Sequence, residues 1–128
     1  MKVFKVVTTI LFFLTFKVVA GEIVGEPIVT DGDTIKIVNK RIRLHGIEAP
    51  EKKQLCKKNS KEYRCGMIAK EALKKKVNKK QVTCTVQDSL DRYKRYIGVC
   101  FVGNKNLNQW MVRNGYAIAY RRYSKDYI

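Results

Sequence analysis

The chain has 128 residues, which supports one domain. Its 45% hydrophobic fraction suits a globular core. The net charge of +16, from 27 Lys and Arg against 11 Asp and Glu, predicts salt-sensitive affinity for polyanions, without separating DNA, RNA, anionic lipid and polysaccharide.

Residues 1–20 read as a signal peptide. Lys2 and Lys5 form a basic start, Val6 to Phe16 is apolar apart from three threonines, and Val18-Val19-Ala20 offers a small-residue cleavage site. The apolar run is shorter than the roughly 20 residues that span a bilayer, and Lys17 closes it. The expected domain is therefore 21–128, exported to a periplasmic or extracellular space. Membrane contact is expected only through an uncleaved signal segment.

A first strand is predicted over Glu22 to Val29, interrupted near Gly25 and Pro27. Asp31-Gly32-Asp33 is a turn signal. Ile35 and Ile37 alternate with Lys36 in a second strand, and Asn39-Lys40 turns the chain. Ile42, Leu44 and Gly46 alternate with Arg41, Arg43 and His45 in a third strand, which puts Arg43 on the face opposite Ile42 and Leu44. Ala49-Pro50-Glu51 opens a lysine-rich loop to Asn59. Ser60 is placed to cap a helix running to about Val77, with Ile68/Ala72 and Ala69/Leu73/Val77 as its buried stripe. Val82, Cys84 and Val86 share one face of a fourth strand, and Arg95 to Val102 forms a fifth. Asn106 and Gln109 have capping-box spacing for a second helix, with Leu107, Trp110 and Met111 on its apolar side and Gly115 at its end. Tyr116 to Tyr123 is a short extended segment. Short strands in succession around one intervening helix predict an α+β domain, mainly β, as a Greek-key barrel.

Cys56, Cys65, Cys84 and Cys100 are even in number and lack any C-x-x-C spacing, which argues for disulfides over a structural zinc site. Two bonds suit an oxidising compartment. Cys56–Cys65, closing a short loop, and Cys84–Cys100, joining two strands, are the favoured pairs; spacing alone leaves the other pairings open.

Carboxylates at Asp33, Glu48 and Glu51 have the hardness for a calcium-like ion, and Pro50 biases Ala49 to an extended conformation that can turn its carbonyl outward as another oxygen ligand. Arg43 and Arg95 sit on predicted strands and can each hold a phosphate bidentately. Arg92 and Tyr93 add a donor and a stacking ring, and Tyr120 lies in an aromatic-basic run suited to single-stranded nucleic acid. His45, the one histidine, has no second base in view and reads as a strand residue beside the cleft.

Val29-Thr30-Asp31-Gly32-Asp33-Thr34, Ile42-Arg43-Leu44 through Ile47-Glu48-Ala49-Pro50-Glu51, Asp91-Arg92-Tyr93-Lys94-Arg95, and Leu107-Asn108 through Val112-Arg113-Asn114-Gly115-Tyr116-Ala117 together resemble the staphylococcal nuclease (thermonuclease) family. The resemblance implies a five-stranded OB-fold barrel with two packed helices, the family's further C-terminal helix being absent from a chain that ends at Ile128. It implies a Ca²⁺-dependent nuclease that cuts DNA or RNA at the 5′ side of the phosphate and leaves 3′-phosphates, acting as a monomer with no stable protein partner. By position, Asp33 and Glu48 would ligate Ca²⁺ by side chain and Ala49 by its carbonyl. Glu51 would be the general base, Arg43 and Arg95 would hold the scissile phosphate, and Arg92, Tyr93 and Tyr120 would contact a neighbouring phosphate or base. Glu48 stands where the pattern has Asp, Ala49 where it has Thr, and Lys94 where a glycine is usual. The alternative reading is an OB-fold nucleic-acid-binding module with weakened catalysis.

Overall fold

Alternating apolar positions build the sheet that carries the molecule. The computed structural model describes Val3 and residues 21–120 and 125–128; the signal-peptide expectation, apart from Val3, lies outside them. In chain order the elements are β1 (Gly21–Gly25), β2 (Ile28–Asp31), β3 (Thr34–Ile37), β4 (Lys40–Leu44), β5 (Ile47–Glu48), β6 (Cys56–Lys58), β7 (Lys61–Tyr63), α1 (Cys65–Val77), β8 (Val82–Val86), β9 (Tyr96–Val102), β10 (Lys105–Asn106), α2 (Leu107–Arg113) and β11 (Ile118–Ala119).

The main sheet runs β1-β8-β9-β4-β3-β2, with β10 added to β9. Its pairs are antiparallel except β4 with β9, which run parallel. The two edge strands, β1 and β2, are separated in sequence only by Glu26 and Pro27. A sheet whose opposite edges are joined by two residues has to curl until those edges nearly meet. That curl gives the half-closed barrel of an OB-fold, with β1 and β2 as halves of one strand broken where Pro27 cannot donate to a ladder. Five strands are thus present in the sense expected. Ile35, Ile37, Ile42 and Leu44 from the sheet meet Leu73 of α1 and Leu107 and Met111 of α2 in the core, all essentially inaccessible. Buried Asn108 is the polar keystone: its Oδ1 accepts from Cys100 N–H at 3.1 Å, and its Nδ2 donates to His45 O at 2.9 Å and Gly98 O at 3.1 Å. It thereby clamps the end of β4 to β9 and α2.

Several local expectations are corrected. The β3–β4 turn is Val38-Asn39, not Asn39-Lys40: Ile37 pairs with Lys40, and both intervening residues have positive φ, the turn that matches strand twist. β4 stops at Leu44, because Gly46 turns the chain at φ 74. The lysine-rich loop does not end at Asn59 but runs into the β6–β7 hairpin. Ser60 therefore lies in its Asn59-Ser60 turn with φ 64 and caps nothing; α1 begins only at Cys65, after Arg64, with no side-chain cap. Ala69, Leu73 and Val77 are buried as expected, but Ile68 is 47% exposed. Trp110 is only half-buried, 5.6 Å from the Tyr116 ring and 5.1 Å from Lys76 Nζ, at the edge of the core. The Asn106 cap is present: its Oδ1 accepts from Gln109 N–H at 3.0 Å. The cysteines pair as Cys56–Cys65 and Cys84–Cys100, the second bond joining directly opposed residues of β8 and β9. Each bond contributes about 2–4 kcal/mol by restricting the unfolded chain.

Candidate active site

The β2–β3 connection carries the first acids. The ladder slips between Val29 and Asp31, a bulge that re-aims the side chains beyond it. Gly32 is wedged in place, since a Cβ there would lie 2.8 Å from both Ala49 Cβ and Ala69 Cβ. This close approach seats Asp33 against the segment that follows β5. Asp33 is buried; its Oδ1 accepts from the Thr34 hydroxyl at 3.0 Å and its Oδ2 from Ala49 N–H at 2.8 Å. Its carboxylate therefore touches the peptide that joins Glu48 to Ala49.

Arg43 is set by strand pairing on both sides, opposite Thr34 of β3 and Ile97 of β9. Its Nη1 lies 3.4 Å from Asp33 Oδ2 and donates to Leu44 O at 3.1 Å. Both contacts use one nitrogen of a group with five N–H donors, enough to leave a fork for a phosphate.

Arg95 is placed by a loop folded around one carboxylate. Asp91 Oδ1 accepts from Tyr93 N–H and Arg95 N–H, each at 2.9 Å, and Asp91 Oδ2 accepts from Arg95 Nε at 2.8 Å. Burial alone raises the Asp91 pKa, but the Arg95 backbone bond, the Arg95 guanidinium and the Tyr93 N–H outweigh it and hold the carboxyl below its ordinary 3.8. Lys94 closes the turn at φ 60, in the left-handed region that glycine would occupy at no cost. Lys94 thus adopts here a backbone conformation that favours glycine. The Arg41 guanidinium donates to Tyr93 O and ties the loop to β4, while the Tyr93 ring lies 5.2 Å from the guanidinium carbons of both Arg92 and Arg95.

Glu51 heads a tight turn. Gln54 N–H donates to Glu51 O at 2.8 Å, and Glu51 N–H donates to Gln54 Oε1 at 3.2 Å. The first turn of α1 rests on it: a Cβ on Gly66 would fall 1.6 Å from Glu51 O, so only glycine permits this contact. Lys52 N–H donates to Asp31 Oδ1 at 3.2 Å, which links the turn to the β2–β3 acids. β11 pairs with β5, and Tyr120 N–H donates to Gly46 O at 2.8 Å.

These segments surround one open cleft of about 1150 Å³. It is lined by Asp33, Arg43, Glu48, Ala49, Glu51, Arg92, Tyr93, Arg95 and Tyr120, so every residue singled out in sequence for this chemistry faces the same space. Asp31, Arg41, Gln87 and Asp91 line it too. Asp91 escaped the sequence reading although its i,i+4 spacing to Arg95 was visible. Arg41 could not be found, because its use depends on the β4–loop contact. His45 also borders the cleft, with Nε2 3.1 Å from Asp126 Oδ2.

Among the described residues no group of three His, Cys, Asp or Glu side chains could hold a metal ion. The donors at hand are the Asp33 and Glu48 carboxylates and the Ala49 carbonyl. All are oxygen, which fits the chemistry of Ca²⁺ as a partial protein share of its roughly 6–8 ligands.

The family model described as staphylococcal nuclease homologue matches residues 41–127. The chain belongs to that family. The match starts at Arg41 and so includes Arg43, Glu48, Glu51 and Arg95, with Asp33 lying just before it. A protein of Escherichia coli O157:H7 named an uncharacterized endonuclease is 37% identical over 128 residues, covering 95% of this chain and 77% of that protein. A succinoglycan biosynthesis protein, ExoI, of Rhizobium meliloti is 36% identical over 101 residues, covering 77% of this chain. This chain spans only 53% of ExoI's length. A probable staphylococcal-like nuclease of Oryza sativa subsp. japonica is 33% identical over 102 residues, which is 79% of this chain and 25% of the rice protein.

Proposed function

We propose that this member of the nuclease family hydrolyses phosphodiester bonds of DNA or RNA in a Ca²⁺-dependent reaction, cutting at the 5′ side of the phosphate to leave 3′-phosphates. The observation that carries the reading is the shared cleft, in which two arginines and the Asp33, Glu48 and Glu51 carboxylates face one space. Asp33, Glu48 and the Ala49 carbonyl would hold the ion, which when bound supplies charge to polarise the phosphoryl group. Arg43 and Arg95 grip the phosphate oxygens and stabilise the charge that gathers there. Glu51 takes the proton from the attacking water or orients it. Arg92, Tyr93 and Tyr120 hold the neighbouring nucleotide by charge and stacking. Two disulfides support action in an oxidising space, consistent with residues 1–20 as an export signal cleaved to release 21–128.

The test is digestion of plasmid and single-stranded DNA and of RNA, with Ca²⁺ or EDTA. Glu51→Gln and Arg43→Ala should each lower Ca²⁺-dependent cleavage by at least ~10²-fold with the fold retained. Near-normal turnover in either variant refutes the assignment. Nucleic-acid binding by the wild type without Ca²⁺-dependent products would leave a binding module in its place.

A further inference from the structure

The β6–β7 hairpin is not part of the main sheet, and its two faces differ. Residues directly opposite in an antiparallel pair point to the same side. On one face Lys57 opposes Glu62, a complementary pair. On the other, Lys58 opposes Lys61 and Cys56 opposes Tyr63. Like charges directly across a ladder repel and cost stability. Among the described residues neither Lys58 nor Lys61 has an ion-pair partner. The same face has an open concavity of about 400 Å³ lined by Lys58, Asn59, Lys61 and Tyr63, and Tyr63 is 41% exposed. The Cys56–Cys65 bond fixes this hairpin to the start of α1, so its charges are held on a stapled element.

We propose that the Lys58/Lys61/Tyr63 face is a nucleotide-binding subsite outside the cleft, taking the same nucleic-acid strand whose scissile phosphate lies between Arg43 and Arg95. This rests on the nuclease reading for the strand's origin, not for the chemistry of the subsite. Two opposed lysines match successive phosphates, and the exposed ring offers a stacking platform for one base. Position agrees. Only Lys52, Lys53, Gln54 and Leu55 separate Glu51 from Cys56, so β6 begins no more than about 18 Å from Glu51 along the chain. A single strand of a few nucleotides with its scissile phosphate in the cleft therefore spans that distance. The subsite therefore lengthens the grip on a polymer, and a 12-nucleotide strand engages it more fully than a dinucleotide held in the cleft.

The experiment compares binding of a 12-nucleotide single strand and a dinucleotide, in EDTA, across a salt series. The samples are the full chain with both disulfides intact, its Lys58→Gln/Lys61→Gln double variant, and Tyr63→Ala. In the double variant the slope of log affinity on log salt for the 12-mer should fall by about 1.4, from two released counterions of a single strand. Tyr63→Ala should lower the ratio of 12-mer to dinucleotide affinity about tenfold. An unchanged slope in the double variant, or an unchanged ratio in Tyr63→Ala, overturns the subsite. Ca²⁺-dependent cleavage by the wild type is scored on the same preparations. No cleavage there sinks the nuclease reading, while the length ratio still judges the hairpin.

Discussion

Two arginines face the same cleft and are placed by opposite means. Arg43 sits on β4, locked by ladders to β3 and β9, and its contact with the buried Asp33 lies inside that lattice. Arg95 closes the five-residue turn 91–95, which lies outside the sheet between β8 and β9 and takes its shape from one carboxylate, Asp91. Glu51 belongs with the second kind, in a turn held from behind by Gly66. One half of the site is therefore as stable as the barrel. The other half depends on a few contacts that single substitutions can remove while the barrel stays folded.

The largest expected break of that contrast is at Gly66. Gly66→Ala puts a Cβ where the Glu51 carbonyl stands, and because the clash is with backbone no rotamer relieves it. Overpacking of this kind should cost about 3 kcal/mol. Thermal melts with activity measured well below the transition would check it: cleavage should fall along with the melting temperature, whereas an unchanged melt would show that Gly66 is not in contact with the turn.

How much of this was legible beforehand follows the same division. Ile35, Ile37, Ile42, Leu44, Val82 and Cys84 alternate cleanly, so the strands and the facing of Arg43 could be read from period two alone. The Asn106 cap and Gly115 stop were equally visible. The β6–β7 hairpin was not, because Lys57, Lys58, Lys61 and Glu62 give no apolar alternation, and what holds it is a disulfide to α1. Asn108 and Gly66 were invisible for a different reason: their roles arise from partners 63 and 15 residues away, which no local pattern encodes.

Asp91→Asn tests the loop half more narrowly. It removes the charge that pairs Arg95 while keeping the side-chain size, and a misplaced guanidinium should lower cleavage by about 10- to 10²-fold. Arg43 lies outside this network, so its placement on β4 should be unchanged in the variant. The sign with acid is fixed by the lowered pKa: the carboxylate's contribution is present above its ordinary 3.8 and is lost as pH falls through the lower folded value. The stability gap between wild type and Asp91→Asn should therefore be open at pH 6 and close as pH falls below 3.8 through that lowered value. A gap that widened in acid would contradict the assignment.

The smallest effect is at Lys94. Glycine at φ 60 avoids the left-handed penalty, so Lys94→Gly should raise stability by no more than about 1 kcal/mol in denaturant titrations and leave cleavage within about twofold. A large loss of cleavage would show that the lysine side chain, and not the turn, is what matters at this position.

The central claim is that one cleft binds cation and phosphate together. Calorimetric titration of Ca²⁺ into the Glu51→Gln protein, with and without a saturating mononucleotide, tests it most directly. The account predicts Ca²⁺ binding that tightens about tenfold when the nucleotide is present, the reciprocal gain for the nucleotide, and loss of both in Asp33→Ala. Equal Ca²⁺ affinity with and without the nucleotide, or coupling that survives in Asp33→Ala, would contradict it.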